Sequence, residues 1–177
     1  RLINLIREIN MLPIQISPTA AKHCKDIENY INIFKPNGII LSGGNNLGEY
    51  AIRDNFEKEI LQSSKKNNIP IFGICRGFQI LNSFCNGSLI KIENHCDTRH
   101  KLKGEKGFNN REVNSYHNYG VTLKTIGNDL MPLAITEDGC IEAIKHTKNP
   151  WLAIMWHPER ESIFNFEDLK IIQHHFE

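Results

Sequence analysis

The chain lacks the features that mark several large classes of protein. No apolar run approaches the roughly 18 residues that a membrane span requires, so no membrane association is expected. A formal net charge of +1 gives no broad basic face, which argues against a nucleic-acid partner. The five cysteines are odd in number and have no paired spacing, which predicts free thiols in a reducing, cytoplasmic compartment. No internal repeat and no linker-like stretch divides the sequence.

The residues that are present suit a globular protein. Hydrophobic residues make up 40% of the 177 residues and charged residues 23%, a balance typical of folded rather than disordered chains. This length is enough to bury most of the apolar surface in one core. We therefore expect a single domain over residues 1–177.

The segment over residues 69–79 carries the most specific pattern in the chain. An apolar, strand-like run ends in Gly-Ile-Cys-Arg-Gly at 73–77, and an amphipathic run follows. This predicts a strand, a sharp turn and a helix with Cys75 at the apex, which is the form of a nucleophile elbow with sulfur in place of oxygen. The flanking glycines would allow a strained apex, and the helix N-terminus is expected to lower the pKa of the thiol. The alternative is a structural cysteine that ends a core strand.

A catalytic partner for this cysteine is found in Trp-His-Pro-Glu at 156–159, after a strand-like run over 151–156. Pro158 restricts His157 to extended geometry, and residues i and i+2 of an extended segment point to the same side. Glu159 can therefore fix the tautomer of His157 and aim its other nitrogen at a nucleophile, which we expect within bonding distance of Cys75. A surface turn could contain the same residues, so this pattern supports a catalytic role only in combination with the cysteine elbow at 73–77.

A glycine pair follows a third apolar run. Gly43 and Gly44 come after the strand-like residues 38–42, and glycines there can present bare backbone N–H groups to a reacting oxygen. The N–H of Gly44 and that of Arg76 would form an oxyanion hole. An ordinary strand-to-loop turn has the same composition.

Periodicity and turn signals indicate an α/β protein. Strands alternating with helices predict a parallel sheet with right-handed crossovers, whose active residues lie at the carboxyl ends of the strands. The segment over 94–110 is polar and predicts a loop or hairpin near the mouth of the site. Helices are predicted over 20–34, 53–66 and 167–176, and strands over 38–42, 69–74, 88–92, 112–115, 121–125, 133–136, 141–146 and 151–156.

These motifs resemble the class I glutamine amidotransferase-like hydrolases, and within them the γ-glutamyl hydrolase (peptidase C26-like) branch. The matching segments span roughly residues 37 to 160: Leu-Ser-Gly-Gly (41–44), Gly-Ile-Cys-Arg-Gly-Phe-Gln (73–79), Val-Asn-Ser-Tyr-His-Asn (113–118), Asp-Gly-Cys-Ile-Glu-Ala (138–143) and Trp-His-Pro-Glu (156–159). The resemblance implies a three-layer, flavodoxin-like fold with a mostly parallel central sheet flanked by helices. It also implies a substrate head group held by Gln79, Ser115, Tyr116 and His117.

The resemblance implies a reaction as well. Cys75 would attack the γ-carbonyl of a glutamyl amide, His157 would manage the proton, and water would then release glutamate without a metal or an organic cofactor. Motifs such as Asn-Ser-Tyr-His-Asn (114–118) and Met-Trp-His-Pro-Glu-Arg-Glu (155–161) are similar to the γ-glutamyl-CDP-amidate hydrolase type, which acts in surface-polysaccharide modification. A glutaminase that passes ammonia to a synthetase partner and a catalytically silent binding module are the alternatives. A small-molecule substrate is expected, and a homo-oligomer is left open.

The N-terminal residues depart from the family pattern. Members open with a strand that precedes a helix, whereas this sequence starts at Arg1 with the remnant of a helix before a predicted strand over 11–16. We therefore expect an N-terminal strand to be missing, since a sheet without it would expose unpaired backbone groups.

Several other side chains have simpler interpretations. His95, Cys96, Asp97 and His100 are metal-ligand types, but their spacing matches no strong zinc pattern, and a loop that touches substrate is favoured. Trp151 and Trp156 are expected in the core. His174 and His175 end the last helix, where they would suit its dipole. The remaining cysteines are expected to be structural: Cys24, Cys85, Cys96 and Cys140.

Overall fold

The computed structural model describes residues 1–19 and 24–177. No helix in this part of the chain is long and apolar enough to cross a membrane. The helices are α1 (Leu2–Glu8), α2 (Cys24–Phe34), α3 (Ala51–Asn67), α4 (Arg76–Phe84) and α5 (Phe166–Phe176). The strands are β1 (Ile39–Leu41), β2 (Ile71–Ile74), β3 (Ile90–Lys91), β4 (Cys96–Lys101), β5 (Lys103–Gly104), β6 (Glu112–Tyr116), β7 (Tyr119–Gly120), β8 (Leu130–Ile135), β9 (Ile141–His146) and β10 (Trp151–Ile154).

The main sheet has six strands in the order β1-β2-β10-β9-β8-β5. The α/β class is confirmed, but the sheet is mixed rather than mostly parallel: β1, β2 and β10 run parallel, while β10, β9, β8 and β5 pair antiparallel. Short connections explain the pairing of β8, β9 and β10, since strands joined by a few residues pair as hairpins, whereas a parallel pair needs a crossover. The parallel half is the one whose strands lead into Cys75 and His157.

Both faces of this sheet are covered. Alternating residues of one strand supply the two sides, so that Ile71 packs in the cluster with α2, α3 and α4 while Phe72 packs in the cluster with α1 and α5. Trp151 and Trp156 are 2% and 1% exposed, which confirms their predicted place in the core. The result is three layers, with helices above and below the strands.

The structure corrects two of the predicted strands. Residues 11–16 form no strand and line an apolar groove of about 910 Å³ beside edge strand β1. The sequence predicts extended backbone over 121–125, but these residues form a turn in which the Thr122 N–H donates to Thr125 Oγ1 over 2.9 Å. In both segments part of the apolar side chains pack from irregular backbone, as Ile16 and Val121 do, while Leu12 and Leu123 are exposed. A periodicity argument does not detect such packing.

The other predicted elements occur with small shifts at their ends. The helix expected over 20–34 is present from residue 24, and residues 20–23 lie outside the described part of the chain. The predicted hairpin near the site is formed by β4 and β6. The cysteines whose side chains are described are free thiols, and the side chain of Cys24 lies outside that description.

His175 does not play the charged role expected at the end of a helix. Burial lowers the pKa of His175, so the neutral imidazole is favoured. Its Nε2 donates to the carbonyl of Ile71 over 2.8 Å, and its ring packs against Phe72. The side chain therefore anchors α5 to the sheet instead of interacting with the helix dipole.

Candidate active site

Cys75 occupies the sharp turn between β2 and α4 that the sequence predicts. Its φ of 50° and ψ of −96° are a strained combination for a residue with a side chain, and its N–H donates to the Ile154 carbonyl over 2.8 Å. The two glycines of the elbow have a steric reason. A Cβ on Gly73 would lie 2.7 Å from the backbone of Gly77, and a Cβ on Gly77 would lie 2.1 Å from the Leu41 carbonyl oxygen. Only glycine at these positions allows α4 to pack so closely on the strands.

The expected lowering of the Cys75 pKa is wrong for this arrangement. Burial raises the pKa of Cys75 to about 12, while the positive charge of Arg160 and the N–H of Arg76 oppose that shift. The side chain is only 5% exposed, so the loss of hydration outweighs the helix terminus. A neutral thiol at pH 7 follows, and a base must take its proton when it reacts.

His157 and Glu159 form the pair that the sequence predicts. The Nδ1 atom of His157 lies 2.6 Å from Glu159 Oε1, so the carboxylate holds one side of the ring and leaves Nε2 for other chemistry. Asn114 fixes the histidine backbone from both directions, accepting its N–H over 2.8 Å and donating to its carbonyl over 2.9 Å. The imidazole is therefore oriented at both its ring and its main chain.

Cys75 and His157 follow neighbouring parallel strands. Ile74 pairs with Ile154, so the two side chains come after the carboxyl ends of β2 and β10 at the same edge of the sheet. Among the described residues no hydrogen bond joins the Cys75 thiol to the imidazole. Catalytic hydrogen bonds are often long without substrate and tighten when it binds.

Gly43 lies against the His157 ring. A Cβ on Gly43 would come 2.6 Å from Cε1 of the imidazole. Gly43→Ala should therefore push the ring out of line with Glu159, and we expect a loss of about 100-fold in kcat with little change in the free energy of unfolding. Steady-state kinetics on a γ-glutamyl substrate measure this effect.

Gly48→Ala is the control on the same loop. A Cβ there meets no atom within 4 Å, although its φ of +89° is strained for alanine. It should lower stability by about 1 kcal/mol and leave kcat unchanged. Equal kinetic losses in both variants would contradict a specific contact between Gly43 and the imidazole.

The predicted oxyanion donors have suitable surroundings. Among the described residues the Gly44 N–H has no hydrogen-bond partner. The Arg76 N–H points toward the Cys75 sulfur, where it favours a negative charge. The Arg53 guanidinium holds the loop in place by donating to the carbonyls of Ser42, over 2.7 Å, and Gly43, over 3.1 Å.

The Arg76 side chain has a separate role that the sequence did not indicate. Its guanidinium is 1% exposed and bonds to the carboxylates of Asp54 and Glu57 on α3. Arg53 also pairs with Glu57, over 2.8 Å. This buried network joins α3 to the start of α4 and to the loop that carries Gly43 and Gly44.

The predicted substrate-binding residues lie near this edge, but several of their polar groups already have partners. Gln79 Nε2 donates to the Tyr119 carbonyl over 3.1 Å, and Ser115 Oγ donates to the His95 carbonyl over 2.6 Å. His117 is buried, whereas Tyr116 is 36% exposed and packs edge-on against His157 with ring centroids 5.9 Å apart. Tyr116 is therefore the most accessible of the four.

Two further residues bear on the site and carry no role in the sequence analysis. The Arg160 guanidinium lies over the Tyr116 ring at 4.6 Å and acts on the Cys75 thiol through its charge. Asn114 clamps the His157 backbone and also donates to Glu161 Oε1 over 2.8 Å. Arg160 could have been suspected because it follows the His-Pro-Glu motif directly. Asn114 lies within the motif at 114–118, but its contact with the His157 backbone spans 43 residues and could not be read from that motif.

Metal-ligand side chains also meet near this edge, but not in the set that the sequence suggests. His95, His117 and Glu142 are buried, with one donor atom from each lying within 4.8 Å of the others. Of the four metal-ligand types between residues 95 and 100 only His95 belongs to this cluster, whereas Cys96 and Asp97 are exposed. The three members come from separate segments of the chain, so sequence spacing could not reveal them.

The fold and this constellation define a class I glutamine amidotransferase-like protein. A solved structure assigned as a GMP synthase subunit from Thermoplasma acidophilum superimposes with a TM-score of 0.77 over 98% of this chain and 83% of that one. At 19% identity this similarity shows the fold alone. The peptidase C26 family model matches residues 1–159, and the chain belongs to that family.

Two curated relatives show which activities occur among similar proteins. The chain is 34% identical over 146 residues to a gamma-glutamyl-CDP-amidate hydrolase from Campylobacter jejuni, covering 79% of this chain and 70% of that protein. It is 32% identical over 139 residues to one subunit of a glutamine-hydrolyzing GMP synthase from Pyrococcus furiosus, covering 73% and 69%. Family membership supports hydrolase activity on a small molecule of the γ-glutamyl or glutamine type.

Proposed function

We propose that the protein is a cysteine-dependent hydrolase that cleaves a γ-glutamyl amide bond, with Cys75 as nucleophile, His157 as base and Glu159 as its orienting acid. One observation carries the proposal. A strained cysteine between β2 and α4 follows the strand next to the one that leads into a histidine already bound to a carboxylate. Such an arrangement has the residue types of a nucleophile–base–acid triad and its contact between base and acid.

The chemistry follows from the state of each group. Because the thiol is neutral, its proton passes to His157 Nε2 as sulfur bonds to the γ-carbonyl carbon, and the carbonyl oxygen becomes an oxyanion held by the N–H groups of Gly44 and Arg76. The C–N bond then breaks while His157 returns the proton to the leaving nitrogen. Water adds to the thioester with its proton taken by His157, and glutamate leaves as sulfur regains a proton.

The surroundings favour an anionic substrate. Arg160 is a cation close to the Cys75 thiol, and Tyr116 beneath it is partly exposed. A guanidinium at this place suits the carboxylate of the glutamyl group or a phosphoryl group on the leaving nitrogen. Together with the relative from Campylobacter jejuni, this supports a nucleotide-linked γ-glutamyl phosphoramidate as the substrate. The place of this reaction in a cytoplasmic pathway of surface-polysaccharide modification is proposed from the resemblance of the sequence motifs alone.

A glutaminase that supplies ammonia to a synthetase is the second candidate. It is favoured by the identity to the GMP synthase component from Pyrococcus furiosus. The two functions differ in the leaving group and in the need for a partner. The hydrolase releases a large amidate without a partner, whereas a glutaminase component releases ammonia and depends on its partner for full activity.

The test measures glutamate released from three substrates by the purified protein alone. We expect γ-glutamyl-CDP-amidate to be cleaved with a kcat/KM at least about 100-fold above that of glutamine, since a preferred leaving group contributes binding energy in the transition state. γ-Glutamyl methylamide is the matched small amide. Equal rates for glutamine and the methylamide with none for the CDP-amidate would contradict the nucleotide substrate, and release from none of the three would contradict the hydrolase.

A further inference from the structure

The buried cluster of His95, His117 and Glu142 has an unusual arrangement of donor atoms. The Nδ1 of His95 lies 3.6 Å from Glu142 Oε1, and the Nε2 of His117 lies 3.5 Å from the same oxygen. These two ring nitrogens and both oxygens of Glu142 are buried without a hydrogen-bond partner. All three side chains are at most 1% exposed. A buried carboxylate with no donor is costly, so a positive charge between these groups, from a proton or from a metal ion, would stabilise the cluster.

The outer nitrogens of both histidines are anchored. His95 Nε2 lies 2.8 Å from Asp138 Oδ2, and His117 Nδ1 lies 3.1 Å from the Tyr119 carbonyl oxygen. Both partners only accept hydrogen bonds, so these nitrogens carry the protons. In the neutral rings the lone pairs of the two inner nitrogens therefore face Glu142. This is how proteins orient histidines that bind metals, with the second nitrogen donating to a carboxylate or a carbonyl.

The spacing in the cluster is closer to that of metal ligands than to that of hydrogen bonds. A charge-assisted N–H···O bond from a protonated imidazole is about 2.7–2.9 Å long, shorter than either distance in the cluster. Zinc bonds of about 2.0–2.2 Å in a tetrahedral array place neighbouring donors roughly 3.3–3.5 Å apart. The observed 3.5 Å and 3.6 Å are close to the edge of such a tetrahedron, and the three donor atoms all lie within 4.8 Å of one another.

We propose that His95 Nδ1, His117 Nε2 and the Glu142 carboxylate bind one zinc ion, with a fourth position left for water or for an anionic group of a ligand. Two histidines and a glutamate are a known zinc donor set with an open position. The site joins the residue before β4, the segment after β6 and strand β9. It therefore fixes the chain on which Tyr116 packs against His157. This zinc proposal does not depend on the proposed hydrolase activity.

The test measures zinc bound per chain by elemental analysis, after the full chain has been exposed to zinc and dialysed. We expect one zinc per chain for the unsubstituted protein and none for Glu142→Gln. Asp138→Asn keeps the size of the side chain but removes the charge of the exposed carboxylate that orients His95 and also accepts from Thr136 and the Cys140 N–H. It should weaken zinc affinity by about 10- to 100-fold in a competition titration. His146→Asn is the control, because His146 ends the same strand and bonds to Asn149 away from the cluster.

Cobalt substitution gives a second readout that is independent of enzyme activity. Cobalt in a four-coordinate site with nitrogen and oxygen ligands absorbs visible light strongly, and this absorption should be absent in Glu142→Gln. If Glu142→Gln does not fold, the zinc content of the unsubstituted protein and the zinc affinity of Asp138→Asn still test the proposal. Folded, unsubstituted protein without stoichiometric zinc would overturn the proposal and leave a cluster held by protons. Equal affinities in Asp138→Asn and His146→Asn would overturn the assigned ligands.

Discussion

Cys75→Ala should abolish glutamate release and leave the fold intact. The substitution removes the sulfur that forms the thioester in the proposed mechanism, while the backbone N–H groups of Gly44 and Arg76 remain. We expect kcat to fall by about 10⁴- to 10⁶-fold, the range seen when the nucleophile of a triad is lost. Glutamate release under saturating substrate measures the loss, and circular dichroism checks the fold. Alanine at a φ of 50° stays strained, so stability should change little.

Cys85→Ala is the matched control. Cys85 follows the last residue of the same helix, is 8% exposed and belongs to the core. Its loss should cost about 1 kcal/mol of stability without affecting kcat. Activity near that of the unsubstituted protein in Cys75→Ala would contradict the nucleophile assignment, whatever Cys85→Ala does.

The elbow could be predicted from sequence because its causes are local. Gly73 and Gly77 are required by contacts within the strand–turn–helix unit and with the two neighbouring strands β1 and β10. The position of His157 at the same edge follows from a general property of parallel strands, whose carboxyl ends coincide. Glu159 needs only the two-residue spacing and the restriction imposed by Pro158.

The features that sequence reasoning missed depend on distant contacts or on burial. The thiol pKa depends on how much water reaches Cys75, which the helix terminus alone does not determine. The antiparallel half of the sheet depends on how β8, β9 and β10 pair. The same holds for the histidine–glutamate cluster, because His95, His117 and Glu142 meet only after three segments pack together.

The Arg76 side chain shows how one residue can combine a predictable and an unpredictable role. Its backbone N–H follows the nucleophile, and this position alone predicts a part in the oxyanion hole. Its guanidinium instead turns into the core and bonds to Asp54 and Glu57, which lie 22 and 19 residues earlier. Pairing of this kind satisfies two buried carboxylates that would otherwise be poorly compatible with the core.

Arg76→Ala should therefore lower the free energy of unfolding by about 3–5 kcal/mol, the cost of leaving buried charges without their partner. Among the described residues, Asp54 would keep only the Gly48 N–H at 2.8 Å, and Glu57 would keep only Arg53. Urea unfolding measures this change in free energy, provided that the dependence on urea concentration (the m value) is the same in both proteins. The alanine backbone still donates its N–H, so kcat per folded molecule should remain within about tenfold of the original value.

Arg99→Ala provides the comparison, because Arg99 also contacts two carboxylates, Glu112 and Glu161, but its side chain is 46% exposed. An exposed ion pair contributes about 0–1 kcal/mol, so this variant should unfold near the original midpoint. Similar losses of unfolding free energy in the two variants would show that burial does not determine how strongly the Arg76 network stabilises the fold. A loss below about 1 kcal/mol in Arg76→Ala would mean that water or Arg53 replaces the missing guanidinium. A large loss in Arg76→Ala alone would establish that the network joining α3 to the nucleophile turn is held by charge pairing inside the core.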